Sequence, residues 1–300
     1  MARDRQAAAL MEIRSRRERL SLLARNVTYQ TRRNPTMAGG IVVVMIMALI
    51  ALSAPLLTTV DPTYVDPFSR FTEPGAEYWF GTDNLGRDVY ARTIYGARIS
   101  LTVGFSVAIL ALFTAVCIGL PAGYYRKLDA VIMRVMDGLM SIPSILLAIA
   151  LAALLGGSMQ NVIIALTVVE TPRSVRVVRS SVLSLREQMF VDAARATGVP
   201  PLRILVRYIL PNTMAPLIIN STAICAAAIL TEAGLSFLGA GLPEEVPSWG
   251  NVMAAGRNYI SSAVWVIFFP GLFLTITVLG VNLAGDGLRD SLDPKLRRRM

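Results

Sequence analysis

The chain has 300 residues, of which 54% are hydrophobic and only 16% are charged, and its mean hydropathy is +0.55. A soluble domain usually has about 25% charged residues, so the composition excludes an ordinary soluble protein. The chain contains no histidine, which excludes Ser-His and Cys-His catalysis and histidine metal sites. Cys117 and Cys225 lie in apolar segments and form no C-x-x-C pair, which favours core positions for both. A G-x-x-x-x-G-K motif is also missing, so ATP hydrolysis would require another chain.

Long uncharged stretches run through the sequence, and a helix needs about 20 apolar residues to cross a bilayer. They predict an all-α, polytopic membrane protein with six transmembrane helices. We place these spans at 37–57, 99–123, 136–155, 161–181, 212–235 and 263–285. The last five spans form a transmembrane core over residues 99–285.

The distribution of basic residues predicts the orientation of the spans. Of the 29 lysines and arginines, 24 lie before residue 37, in 124–135, in 173–210 or after residue 285. Because basic loops stay on the cytoplasmic side, both termini are predicted to be cytoplasmic. The net charge of +9 therefore indicates a bilayer and no nucleic-acid partner.

The segments outside the core follow from this orientation. Residues 1–36 form a basic arm, in which apolar side chains near one helical face predict a helix lying on membrane lipid. A disordered basic arm is the alternative. Residues 58–98 and 236–262 are predicted to be periplasmic loops, and residues 286–300 a cytoplasmic tail.

The predicted fourth span is unusual because charged residues follow a short apolar run. At 1.5 Å per residue, Glu170 lies roughly 13 Å from the start of the helix, near the middle of the bilayer. A charge at that depth normally faces a watery cavity or a partner. Glu170, Arg173 and Arg176 are therefore candidates for lining a translocation path, and a Glu170–Arg173 pair packed inside the bundle is the equal alternative. Glu232, an acid in the fifth span, joins the candidate path residues.

A long cytoplasmic connection occupies residues 182–211. Its first part is polar and helix-forming, and Gly198 predicts a helix end with positive φ. Pro200 and Pro201 can open a second helix, since proline is tolerated at a helix start. A helix-turn-helix beneath the membrane with the small residues Ala193 and Ala194 is typical of a docking surface for another protein.

The pattern of Asp192-Ala193-Ala194, then Gly198 and Pro211, resembles the "EAA" loop of permease subunits in bacterial ABC importers. This sequence departs from the family at two positions, with Asp192 in place of the commoner glutamate and Tyr208 where isoleucine is typical. The resemblance implies that the five residues couple the chain to a cytoplasmic ATPase.

Other blocks are similar to the dipeptide/oligopeptide/nickel permease family, of the C-subunit type. These blocks are Trp79–Asp88, Ile94–Ser100, Glu232–Gly239, Pro247–Gly250 and Gly285–Lys295. The resemblance implies the type I permease fold of an ABC importer in the bacterial cytoplasmic (inner) membrane. It implies no enzymatic activity, cofactor or metal in this chain.

The same resemblance implies three kinds of partner: a homologous permease subunit, two cytoplasmic ABC ATPases and an external substrate-binding protein. The two external loops are candidate docking surfaces for the binding protein, and capping of the bundle is the alternative. The candidate docking residues are Trp79, Asp83, Arg87, Asp88 and Trp249. The substrate stays open among dipeptides, longer peptides, nickel chelates and related solutes.

Three other functions compete with the importer hypothesis. An ion-coupled secondary transporter would carry its own ion site and often internal repeats, but the two halves show no clear repeat. An intramembrane enzyme lacks a paired catalytic motif here. A scaffold without transport activity is the third alternative.

Overall fold

The computed structural model describes residues 34–292, and predictions for residues 1–33 and 293–300 lie outside this range. Helices and loops make up the described chain, apart from one isolated β-bridge between Thr82 and Asp88. The helices are α1 (Pro35–Leu52), α2 (Ala54–Leu57), α3 (Val89–Tyr124), α4 (Arg126–Met140), α5 (Ser144–Leu155), α6 (Met159–Leu185), α7 (Met189–Ala196), α8 (Pro201–Ile204), α9 (Leu210–Phe237), α10 (Trp249–Gly256) and α11 (Trp265–Leu292). A π-helical turn (Leu205–Ile209) joins α8 to α9, and a 3₁₀ turn (Arg257–Tyr259) follows α10.

Four continuous helical segments of the described chain are long and apolar enough to cross a bilayer. They are Pro35–Leu52, Val89–Tyr124, Pro201–Phe237 and Trp265–Ser291. The pair α4 and α5 adds a fifth if it counts as one bent span. Helix α6 does not reach the same hydropathy, because Glu170 and three arginines interrupt it. The all-helical membrane fold is thus confirmed, and the count of six spans stays a prediction.

Helix α3 begins earlier than the predicted second span. The prediction starts at residue 99, whereas α3 starts at Val89, so residues 89–98 of the predicted external loop are helical. Asp88 caps this start, because its side chain accepts a hydrogen bond from the Tyr90 backbone N–H at 2.9 Å. The charge of Arg92 favoured a loop outside the membrane when only the sequence was considered. In the structure Arg92 lies in the helix and its side chain is fully buried.

The predicted third span is also different, because the chain bends within it. Helix α4 ends at Met140 and α5 starts at Ser144, and their axes meet at 90°. Pro143 explains the break, since proline has no backbone N–H to donate and disfavours helical geometry at the residue before it. The Ser141 hydroxyl donates to the Gly138 carbonyl at 2.7 Å and closes the end of α4.

Small residues allow close packing in the centre of the bundle, where α3 lies against α6, α9 and α1. A Cβ added at Gly119 or Gly123 would lie 2.6 Å from the Cβ of Val178 or Val182, respectively. Only glycine fits at both positions of α3, which form a G-x-x-x-G segment that lets two helices pack closely. The contact holds the C-terminal part of α3 and the C-terminal part of α6 together.

Candidate functional site

The connection over residues 182–211, predicted to be cytoplasmic, contains a helix-turn-helix elbow, which we define as residues 189–209. Helix α7 ends at Ala196, and Gly198 follows with φ of +75°. The Gly198 N–H donates to the Arg195 carbonyl and the Val199 N–H to the Ala194 carbonyl, both at 3.0 Å. These bonds cap the last carbonyls of α7, and the left-handed backbone at Gly198 confirms the predicted glycine cap.

One face of the elbow packs against the bundle. Val191 and Ala194 are buried in a cluster that includes Val178 and Val182 of α6. Ala194 is only 6% exposed, so its small side chain allows α7 to lie close to the bundle. The elbow is therefore a packed extension of the transmembrane helices.

The opposite face of the elbow carries the other predicted coupling residues. Asp192, Ala193 and Gly198 are exposed, and Pro211 is exposed in the first turn of α9. The five coupling candidates thus lie on one segment, but Ala194 faces the bundle and the other four face outward.

Large apolar side chains accompany these outward residues. Met189, Leu202 and Val206 are 87%, 72% and 53% exposed, and Phe190 is 39% exposed. Sequence analysis did not identify Met189 and Phe190, although an apolar pair at the start of a polar helix is a visible signal. We call the four side chains the elbow patch; exposed apolar surface on a folded protein is a signal of an interaction site.

Two arginines connect the elbow and the end of α6 to the end of α3. The Arg195 guanidinium lies 5.4 Å from the centre of the Tyr124 ring, and it contacts the Asp192 carboxylate at 3.2 Å. Arg186 donates to the Gly123 carbonyl at 3.0 Å. A force on α7 would therefore reach both α6 and α3.

The charged stripe of α6 is paired mainly with α4. Arg176 contacts the Asp137 carboxylate at 2.6 Å, and Arg179 contacts both oxygens of Asp129. Glu170 is half-buried and Arg173 is exposed, and the described chain shows no ion pair between them. The packed Glu170–Arg173 pair is therefore not found in this arrangement.

Glu232 lies inside the protein, where its side chain is fully buried. Its carboxylate accepts hydrogen bonds from the hydroxyls of Ser236 at 2.8 Å and Ser100 at 3.4 Å. The Ser100 hydroxyl also accepts from the Trp249 backbone N–H at 3.4 Å. Glu232 thus links α9, α3 and α10. Its side chain is not accessible to solvent in this arrangement.

The segment from Asp61 to Asp88 packs around the start of α3, and we call it the cap. The buried Asp83 carboxylate contacts the Arg87 guanidinium at 2.7 Å and the Arg92 guanidinium at 4.0 Å. Arg92 also donates to the carbonyls of Pro62 and Glu244, so one side chain joins the two loops that are predicted to be periplasmic. Asp83 and Arg87 therefore hold the cap together from within.

The remaining external candidates differ in accessibility. Trp79 is 64% exposed and packs on Tyr90, with ring centres 5.0 Å apart. Asp88 is half-buried, and burial raises the pKa of its carboxyl above the usual value. Trp249 is fully buried, and its indole N–H donates to the Thr93 carbonyl at 3.0 Å. Among the five predicted docking residues, Trp79 alone has a mostly exposed side chain, and buried Trp249 supports the capping alternative.

A polar cavity of about 520 Å³ lies between the cap and α10. Asn84, Arg87, Glu244, Asn251 and Arg257 are among the polar side chains that line it. The part of the chain that the structure describes holds no group of three or more His, Cys, Asp or Glu placed to bind a metal ion.

These features define a class of protein: a helical membrane permease core with an elbow on one end and a cap on the other. Proteins with similar sequences are named as permeases of the same class. The chain is 53% identical to a probable peptide ABC transporter permease protein of Sinorhizobium fredii, over 89% of this chain and 92% of the relative. It is 46% identical to the dipeptide transport system permease protein DppC of Alkalihalophilus pseudofirmus, over 89% and 88%.

More distant proteins extend the comparison. The oligopeptide transport system permease protein OppC of Bacillus subtilis is 37% identical, over 89% of this chain and 88% of that protein. An inward-facing structure of the MetNI methionine ABC transporter has the same fold with a TM-score of 0.53. That match is 22% identical and covers 67% of this chain and 96% of the MetNI chain.

The chain belongs to the family of binding-protein-dependent transport system inner membrane components, which its residues 111–298 match. This result confirms the resemblance and the ABC importer permease fold. The chain is a permease subunit and not an enzyme, and ATP hydrolysis belongs to a separate subunit. None of these relatives supports the ion-coupled alternative.

Proposed function

We propose that this chain forms half of the transmembrane path of an ATP-driven peptide importer. The peptide substrate is suggested by the names of the relatives, which are described as peptide, dipeptide and oligopeptide permeases. A homologous permease subunit would form the other half. The partners would include two cytoplasmic ABC ATPases and an external binding protein, with both termini of this chain in the cytoplasm of a bacterial cell.

The elbow carries this proposal. Its inner face is packed on α6 and its outer face exposes the elbow patch, which has no partner among the described residues. An ATPase that covers the patch would bury Met189 and Leu202 and would place Asp192 and Ala193 at the contact. We infer that the elbow transmits ATPase motion because its inner face cannot move without moving the bundle.

The transport cycle then needs two arrangements of the helices. Nucleotide binding would close the ATPases, shift the elbows and open the bundle to the outside, and hydrolysis would restore the inward-open arrangement. Glu170, half-buried on α6, and the exposed Arg173 are the best candidates for side chains near the path. Arg176, which pairs with Asp137, would adjust the contact between α6 and α4.

Docking of the binding protein would use the external cap. Trp79 offers the accessible aromatic surface, and Asp83, Arg87 and Asp88 would hold the loop that presents it. Trp249 would support α10 from inside. Aromatic side chains of this kind frequently dominate protein interfaces.

The elbow patch can be tested by charge substitution in the assembled transporter. Leu202→Asp should reduce co-purification of the ATPases and peptide uptake by at least tenfold, because it places a charge in an apolar contact. Phe68→Asp is a matched control for ATPase co-purification alone, since Phe68 is a fully exposed apolar residue at the opposite end of the bundle. If Leu202→Asp retained full ATPase binding and uptake, the elbow would not be the docking site.

A further inference from the structure

Helix α4 has an unusual position, because it makes a 90° angle with α5. Of the two helices, α5 carries no charged residue, whereas α4 carries five. The uncharged helix is the one suited to the hydrocarbon, and the amphipathic one is suited to the interface. If α5 points along the membrane normal, α4 lies in the membrane plane.

Contacts with α6 support a steep crossing of α4 over that helix. Asp129 and Asp137 are eight residues apart, which is about 12 Å along a helix. They contact Arg179 and Arg176, which are only three residues apart, or about 4.5 Å along α6. Two antiparallel helices tend to pair residues at matching intervals, so the unequal intervals favour a crossing of α4 over the C-terminal part of α6.

The side of α4 away from the bundle has an apolar stripe. Leu128, Val131 and Val135 follow each other at spacings of three and four residues and therefore share one helical face. They are 45%, 66% and 54% exposed, while Met136 on another face is buried against the bundle. A helix with one face on the bundle and a second apolar face exposed requires another apolar environment.

Basic residues border this apolar stripe. Lys127 and Arg134 are seven residues apart and share a face next to the stripe, and Arg126 lies at the start of the helix. All three are exposed, and no ion pair within the described chain involves them. Their long side chains can extend towards lipid phosphates while the apolar stripe contacts acyl chains.

We propose that α4 is an in-plane helix that binds anionic phospholipid of the cytoplasmic leaflet through Arg126, Lys127 and Arg134. The lipid phosphates would neutralise the basic border, and the stripe of Leu128, Val131 and Val135 would enter the acyl-chain region. Because α4 is paired with α6, the lipid would hold α6 in position at the end where the elbow is packed. This proposal depends on the cytoplasmic orientation of the elbow and not on a peptide substrate.

The test measures contact between α4 and lipid in the complete transporter reconstituted in vesicles. Cys117 and Cys225 are first replaced by serine, and a fluorophore is attached at Val131→Cys or at the control Ala130→Cys. Ala130 is exposed on the same helix but lies off the apolar stripe. The vesicles contain phosphatidylglycerol and phosphatidylcholine, one of which carries bromine on its acyl chains as a short-range quencher.

We expect brominated lipid to quench the label at position 131 strongly and the label at position 130 weakly. Brominated phosphatidylglycerol should quench position 131 about twofold more than brominated phosphatidylcholine at the same fraction, because basic residues enrich anionic lipid. The triple variant Arg126→Gln, Lys127→Gln and Arg134→Gln should reduce this ratio to about one.

Two results would overturn the proposal. Equal weak quenching at positions 130 and 131 would show that a protein covers the stripe. Equal quenching by the two brominated lipids in the protein that keeps its three basic residues would show that α4 does not prefer anionic lipid. If peptide transport is the wrong function, uptake should be absent while the quenching pattern stays as expected. A failure of the lipid proposal can therefore be distinguished from a failure of the proposed function.

Discussion

The turn at Gly198 allows a quantitative test of the elbow. The residue has φ of +75°, and a Cβ added there would meet no atom within 4 Å. Gly198→Ala therefore introduces no clash and acts through the backbone alone. A side chain in the left-handed region costs roughly 1–2 kcal/mol, which corresponds to about a 5–30-fold change in the population of the native turn.

Hydrogen exchange measures this change directly. The Val199 N–H donates to the Ala194 carbonyl, so its exchange reports on the cap of α7. In Gly198→Ala we expect this amide to exchange about 5–30-fold faster, in proportion to opening of the turn. Gly198→Asn is the matched control, because asparagine tolerates left-handed backbone better than alanine, and its effect should be smaller.

The functional consequence is looser coupling in an intact assembly. Gly198→Ala should lower the number of peptides imported per ATP hydrolysed, while expression and membrane insertion stay unchanged. The reasoning would be refuted if the alanine variant opened the turn as expected and yet transported with normal coupling. It would also be refuted if the alanine and asparagine variants exchanged like the unmodified protein.

Three further substitutions test other parts of the molecule. Ala194→Leu should overpack the contact between α7 and the bundle at a cost of about 1–3 kcal/mol, which a thermal unfolding scan of the complex would detect. Glu232→Ala should destabilise the fold by about 1–3 kcal/mol because the Ser100 and Ser236 hydroxyls lose their acceptor, and Glu232→Gln should destabilise it less in the same scan. Glu170→Ala should change uptake without lowering the amount of protein in the membrane, as immunoblots of membrane fractions would show.

The elbow could be predicted from sequence because its determinants are local. Glycine is the residue that best tolerates positive φ, and prolines can open a helix, so Gly198 and Pro201 defined the turn and the start of α8. The sequence did not reveal which side of α7 faces the bundle. That choice depends on Val178 and Val182, which lie on another helix.

The end of the bundle beside the cap was harder to predict, because charged residues in the sequence were assumed to be exposed to solvent. Arg92 and Asp83 are charged, yet both are fully buried in one network. Trp249 was expected to offer a docking surface, but it fills the space beside Gly96 of α3. In each case a long-range partner determines burial, and no local pattern encodes that partner.

The packing at the elbow end of the bundle explains how the proposed docking surface would control a much larger helix assembly. At Gly119 and Gly123, α3 lies so close to α6 that no side chain fits between them. Interiors packed at this density transmit displacement instead of absorbing it. We therefore expect an elbow held against Val182 of α6 to move α6 and α3 together. The break at Pro143, where α4 and α5 are joined by a short non-helical segment, is one place where we expect the described chain to bend.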